Sequence, residues 1–482
     1  MEANASNRLA DNAIANGDRG AEAGAETTIG VLDPSTGEEI GRIPAGDAGA
    51  AAKAVAAAAE AQPEWAKTPA AERAAALKAA TGRLRQHLDE LAELQTRENG
   101  KPLADSRGGV EAGIATVEQY AELGPLHRGR SLAGSSEAVD LMVHEPLGVA
   151  ALLVPWNDPL AIALGQLAAC LVTGNTVVLK PSEKTPLSTQ RALELMDLPE
   201  GVAVLLLGDA RAGRPLVEHE CVDVVLHTGS VETGREIAAI CGRSLRKAVL
   251  ELGGKDALVV DAGVEPSWAA EQAASGAFAN AGQICTSVER IYVHEAVAGM
   301  FLEALVEQAR SLKMGPGLDP ESQIGPLIDE NQRFKVDRHV RGAVEGGAEV
   351  LCGGEASGGP GFFYPPTVLC GVEEWMDVVQ DESFGPLAPV AVVDSFEAGI
   401  AAANASRYGL AATVLTPSQE NAQCALRALK AGTVKVNDVW GGAPGGAAEP
   451  RRHSGLGFGY GPELLDEVTT TKVAHVEPAP PR

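Results

Sequence analysis

The spacing of apolar positions changes character along the chain. Residues 1–26 are rich in Ala, Asn, Gly and acidic residues and show no period, as expected of a mobile tail. Residues 27–46 read as two short strands around a Pro-Ser-Thr-Gly turn. Helical spacing follows at 48–62, at 69–97, where Leu77, Leu84, Leu88, Leu91 and Leu94 share one stripe, and at 108–123. Val139 to His144 alternates as a strand. From Val149 short apolar runs alternate with helices: strands at 149–154, 176–179, 203–207, 222–227, 247–252 and 257–260, and helices at 159–173, 186–195, 211–219 and 232–241. Strands that are apolar throughout and separated by helices predict a parallel sheet covered on both faces. After Cys285 a second alternation begins, with strands at 289–293 and 387–393 and helices at 296–312 and 330–345.

Composition narrows the class. A chain of 482 residues exceeds one simple core, and 45% apolar with 4% aromatic residues fits a helix-rich α/β protein. The net charge of −26 argues against nucleic acid and anionic membranes, both of which select basic patches. Seven scattered cysteines without a Cys-x-x-Cys pair indicate neither a disulfide framework nor a zinc site, and no metal is expected. The apolar stretch 147–179 is interrupted by Pro155, Asn157, Asp158, Pro159 and Gly174, unlike the ~20 unbroken residues of a span. Without a charged-then-apolar leader pattern, a cytoplasmic location is expected.

The chemistry sits in the loops. Glu251 lies in Leu-Glu-Leu-Gly-Gly-Lys and Cys285 in Gly-Gln-Ile-Cys-Thr. A thiol attacks a carbonyl and holds it covalently; a carboxylate activates the water that releases it, so the pair points to acyl chemistry through a thioester. Loops at Pro155-Trp156-Asn157-Asp158, Lys180-Pro181-Ser182-Glu183 and Thr228-Gly229-Ser230 follow strands, where open α/β sheets bind ligands. Gly229-Ser230 opens a helix and offers N–H groups to a phosphate, Lys180 supplies a cation, and Glu183 supplies acceptors for ribose hydroxyls. No Gly-x-Gly-x-x-Gly occurs.

These motifs, with Gly361-Phe362-Phe363-Tyr364-Pro365-Pro366-Thr367, Glu382-Ser383-Phe384-Gly385-Pro386, Val436-Asn437 and Ser454-Gly455-Leu456-Gly457, resemble the aldehyde dehydrogenase superfamily from about 27 to 476. The resemblance implies Cys285 as nucleophile, Glu251 as base for the deacylating water, and Asn157 with the Cys285 N–H as oxyanion hole. It implies a cofactor site of Pro155, Trp156, Lys180, Pro181, Ser182, Glu183, Gly213, Gly229, Ser230, Gly234, Leu252, Glu382 and Phe384. Lys180 and Glu183 would hold the adenosine ribose, Ser230 the pyrophosphate and Glu382 the nicotinamide ribose. NAD is favoured, since Glu183 would repel a 2′-phosphate, with NADP possible. Asp158, Ile284, Thr286 and Trp440 would line the aldehyde's path.

The implied architecture is an NAD-binding domain (27–130 and 148–252), a catalytic α/β domain (253–453), and a small β projection (131–147 with 454–482) that makes a homodimer or homotetramer. Hydrolytic oxidation is the leading function; transfer of the acyl group to coenzyme A and a non-catalytic binding role on the same fold are the alternatives. Asp158 stands where the family often has an aromatic residue, and Arg451-Arg452-His453 replaces a Gly-Gly-x-Lys pattern. A more polar tunnel is expected, with Asp158 favouring a hydroxylated or amine-bearing aldehyde, or else turned onto a backbone N–H or Arg452.

Overall fold

The computed structural model describes residues 27–442 and 446–479; the expected 1–26 tail and part of the unusual 443–453 stretch lie outside them. Thr28–Leu32 and Glu39–Pro44 form the expected antiparallel pair. Helices Ala48–Lys67, Ala70–Gln86, Leu88–Asn99 and Leu103–Leu123 follow. The single helix expected over 69–97 is therefore two. His87 leaves helical geometry at φ −112°, while Leu77, Leu84 and Leu91 remain buried at spacings of seven, so the apolar pattern runs unbroken across the kink. The next helix starts at Leu103, five residues earlier than expected, immediately behind Pro102.

Among the described residues, six strands form the first sheet in the order Gly455–Leu456, Lys247–Leu252, Val224–Gly229, Val149–Val154, Thr176–Pro181, Ala203–Leu205. All neighbours are parallel except the two-residue edge strand at 455. Its topological switch lies between Val149–Val154 and Val224–Gly229, the strands that deliver the Trp156-Asn157 and Ser230 loops. Helix Pro159–Val172 is apolar on nearly every side because it is sunk between this sheet and helix Leu103–Leu123.

The second sheet has seven strands, in the order Glu349–Cys352, Thr367–Cys370, Leu387–Val393, Val288–His294, Asp256–Val260, Ala411–Leu415, Thr433–Val436, parallel except at the first pair. The chain passes from the last long strand of the first sheet into this one through Gly253-Gly254-Lys255 alone. A third sheet pairs Thr469–Val476, Val139–Pro146 and Arg130–Ser131, all antiparallel. No helix among the described residues is long and apolar enough to cross a membrane.

Candidate active site

Two sheet ends meet at one crevice. Glu251 sits at the carboxyl end of Lys247–Leu252, and the Asn157 loop follows the carboxyl end of Val149–Val154. Cys285 lies three residues before Val288–His294, and Glu382 five before Leu387–Val393, at the amino ends of the second sheet. The Gly-Gly span brings them together. Gly254 N–H donates to Glu382 Oε1 at 3.2 Å, and a Cβ at 254 would stand 2.6 Å from the Cys285 carbonyl. A Cβ at 253 would overlap the Glu382 carboxylate. Only glycine admits such an approach.

The turn that carries Cys285 is held in an uncommon shape. Asn280 (φ 49°), Ala281 (φ 54°) and Gly282 (φ 71°) run through the left-handed region, which costs free energy at the two non-glycine positions. Gln283 over-determines the turn: Nε2 donates to Asn280 O and Pro326 O, and Oε1 accepts from Ile328 N–H. Asn157 is buried, and its Nδ2 donates to Gln283 O at 3.0 Å, which sets that amide beside the Cys285 turn with one N–H uncommitted. Burial first, then Asp256, Glu251 and Glu382, pushes the Cys285 thiol up to about 12. Burial raises Glu251 to about 7, against the opposing bond from Gly459 N–H to Oε1 at 2.9 Å. Burial and the repulsion of Glu289 raise Glu382 to about 7 as well.

The nucleotide side is built for a ligand. Lys180 is buried, and its Nζ donates only to Pro181 O at 2.9 Å, with no carboxylate at ion-pair distance among the described residues. Burial lowers its pKa despite Glu183 and Asp209. The Glu183 carboxylate makes no hydrogen bond among the described residues. Gly213 faces the Lys180 stem, 3.3 Å from a Cβ built there, and Gly234 meets Leu252. Ser230 caps helix Val231–Ser244, accepting from Thr233 N–H, so the first-turn N–H groups open toward the crevice. Trp156 and Phe384 meet edge to face, centroids 5.3 Å apart, and Lys184 Nζ lies 5.5 Å over the indole while pairing with Asp329. A buried cation short of acceptors, a free carboxylate and a helix terminus fit a dinucleotide.

The placement of Asp158 departs from sequence expectation. Asp158 is turned neither onto a backbone N–H nor onto Arg452: Lys101 Nζ reaches its Oδ2 at 3.1 Å, while Oδ1 is buried without a partner. Arg452 instead donates to Asn404 O and Ser406 O. Ile284 and Thr286 flank Cys285, half-buried, whereas Trp440 is half-exposed with its Nε1 on Ser275 Oγ at 2.8 Å. Sequence reasoning missed Glu289, which holds the 382–384 loop: its two oxygens accept from Ser383 N–H (2.7 Å) and Phe384 N–H (2.8 Å). Lys255 pairs with Glu289 at 2.6 Å, and Gln332 Nε2 donates to Ser383 O and Phe384 O. A buried charge at the start of an apolar strand was the available signal.

Residues 21–474 match the family described as aldehyde dehydrogenase. The chain belongs to that family. It is similar to the betaine aldehyde dehydrogenase of Bacillus subtilis, 34% identical over 461 residues and 92% of each chain. The solved betaine aldehyde dehydrogenase of Staphylococcus aureus, a complex with NAD+, shares 31% identity at a TM-score of 0.92, covering 96% of this chain and 94% of that one. A 3,6-anhydro-L-galactose dehydrogenase solved with NADP shares 34% at 0.91, covering 95% and 98%. As an aldehyde dehydrogenase the protein is an oxidoreductase, and its mixed α/β architecture is the one these structures share.

Proposed function

We propose that this aldehyde dehydrogenase oxidises an aldehyde to the free carboxylic acid through a covalent adduct on Cys285, with NAD as the preferred acceptor. The observation that carries the reading is the convergence of Cys285, the Asn157 amide and Glu251 on one crevice between two sheets. Cys285 sulfur adds to the aldehyde carbon once its proton has passed to water, since a thiol at about 12 is almost wholly protonated at neutral pH. Asn157's uncommitted N–H and the Cys285 backbone N–H receive the oxyanion of the thiohemiacetal; one such donor is worth ~2.7–4 kcal/mol. NAD, when bound, accepts the hydride whose loss turns that adduct into a thioester. Glu251 then takes a proton from water, hydroxide adds to the thioester carbonyl, and the acid departs as the sulfur recovers its proton.

Lys180 and Glu183 would hold the adenosine ribose, Ser230 and its helix terminus the pyrophosphate, and Glu382 the nicotinamide ribose. Glu183 supports NAD over NADP through repulsion of a 2′-phosphate. The base at Glu251 favours hydrolysis over transfer to coenzyme A, and the complete site weighs against a non-catalytic role. The partner reading is a homodimer or homotetramer through the three-stranded sheet. Lys101 cancels the charge of Asp158 yet leaves Oδ1 unpaired, which favours a neutral hydroxylated aldehyde over a cationic one. Asp158→Phe should then lower kcat/KM for hydroxyaldehydes about tenfold relative to hexanal; an unchanged ratio rejects this assignment.

Pre-steady-state NADH release tests the mechanism. Glu251→Gln should give one burst of NADH per site and then stall, and Cys285→Ala should give no burst. Steady turnover of Glu251→Gln at the wild-type rate would overturn the assignment of the base.

A further inference from the structure

Lys247–Leu252 carries Glu251 near one end; at the other end, about 13 Å along the strand, a separate cluster gathers. Lys247 Nζ pairs with Glu467 at 2.7 Å and donates to Asp466 O at 3.3 Å. Beside it, His127 follows the turn Gly124–Leu126, His144 lies on strand Val139–Pro146, and Asp466 on helix Glu463–Glu467. One ligand atom from each lies within 4.8 Å of the other two. The imidazole centroids are 4.2 Å apart, tilted by 39°, and His127 Nε2 meets Asp466 Oδ1 at 2.8 Å. His144 Nδ1 is shielded from water and has no hydrogen-bond partner among the described residues. A shielded imidazole nitrogen without a partner is an anomaly that a ligand resolves.

We propose that His127, His144 and Asp466 form a binding site for a zinc-type divalent ion. Two imidazoles and one carboxylate are a common donor set for such ions, with water in the fourth tetrahedral position. Bond lengths of ~2.0–2.1 Å put tetrahedral donors about 3.3 Å apart, so the 2.8 Å His127–Asp466 contact would open slightly as the wider separations close. Lys247 is already compensated by Glu467, which leaves the Asp466 charge to the ion. The expectation of no metal rested on cysteine spacing and does not address this site, whose members His127 and Asp466 are 339 residues apart. Bound there, the ion fastens helix Glu463–Glu467 and the strand that follows it to the central strand of the three-stranded sheet.

Cobalt substitution in the full chain, stripped with chelator, tests the site. One equivalent of Co2+ should bind with visible d–d absorption and without the sulfur-to-cobalt band that a cysteine ligand gives. Zn2+ at a hundredfold excess over its Kd should raise Tm by about 2–3 °C. Both effects should vanish in His144→Gln and in Asp466→Asn and persist in Cys285→Ser. Unchanged cobalt uptake in Asp466→Asn, whose side chain is largely exposed and whose replacement leaves folding intact, would overturn the proposal. So would a sulfur charge-transfer band or an unmoved Tm.

Discussion

In the proposed mechanism Glu251 would serve as a base because its surroundings make it a poor acid. Burial lifts it to about 7 from an unperturbed 4.5, so near neutral pH the carboxylate is both ionised and basic enough to take a proton from water. A deacylation-limited kcat should therefore rise between about pH 6 and 8 and level above. The slow residual turnover of Glu251→Gln should show no step near 7. Stability moves the other way. The folded state holds its proton up to about 7 while the unfolded chain loses it near 4.5, so raising the pH across that window costs stability. Glu251→Gln should consequently gain on the wild type in urea midpoints at pH 8 and match it at pH 4; equal midpoints at both would contradict the buried, uncompensated carboxylate. Glu382 adds to the wild-type slope with the same sign. Cys285, Glu251 and Asn157 could be singled out from the sequence because each sits in a distinctive local motif, and the fold brings all three to one crevice. The Lys101–Asp158 pair was not, because nothing local links residues 57 apart.

At the scale of elements, the crevice is assembled from ends of strands, and its precision depends on what pins the loops between them. The 382–384 loop enters the left-handed region at Phe384 (φ 53°) and is held there by Glu289 and Gln332. Glu289→Ala leaves Lys255 fully buried without its counter-charge, which should cost about 3–5 kcal/mol in chemical denaturation. It should also raise KM for NAD more than KM for the aldehyde, because the freed loop carries Glu382 and Phe384. A loss of stability with both KM values unchanged would reduce Glu289 to a structural role. The strands themselves were readable, since runs such as Val149–Val154 and residues 224–226 are apolar on both faces, as covered parallel strands must be. His87 was not: an in-phase leucine stripe looks the same whether or not the backbone kinks beneath it.

Across the whole molecule, the three-stranded sheet stands out for its exposure. Val139 (56% exposed) pairs directly with Val476 (61%) on the eight-residue edge strand, and Leu141 (37%) shares their face, so an exposed apolar patch spans the central and edge strands. Exposed apolar edges are normally covered. A Val139→Glu, Val476→Glu double variant should shift the protein to a smaller species in analytical ultracentrifugation, and retention of the wild-type mass would exclude this face as the subunit contact. The catalytic span behaves differently from this surface. Between Glu251 and Lys255 a Cβ at 254 would press on the Cys285 carbonyl and one at 253 on the Glu382 carboxylate, so a side chain at either position would disturb the crevice. Asp158 and Trp440 are tied instead by side-chain partners, Lys101 and Ser275, which can change together with them. On the proposed function, descendants of this gene would change aldehyde preference by substituting Asp158 and Lys101 together, while the Gly253-Gly254 span would be inherited unchanged.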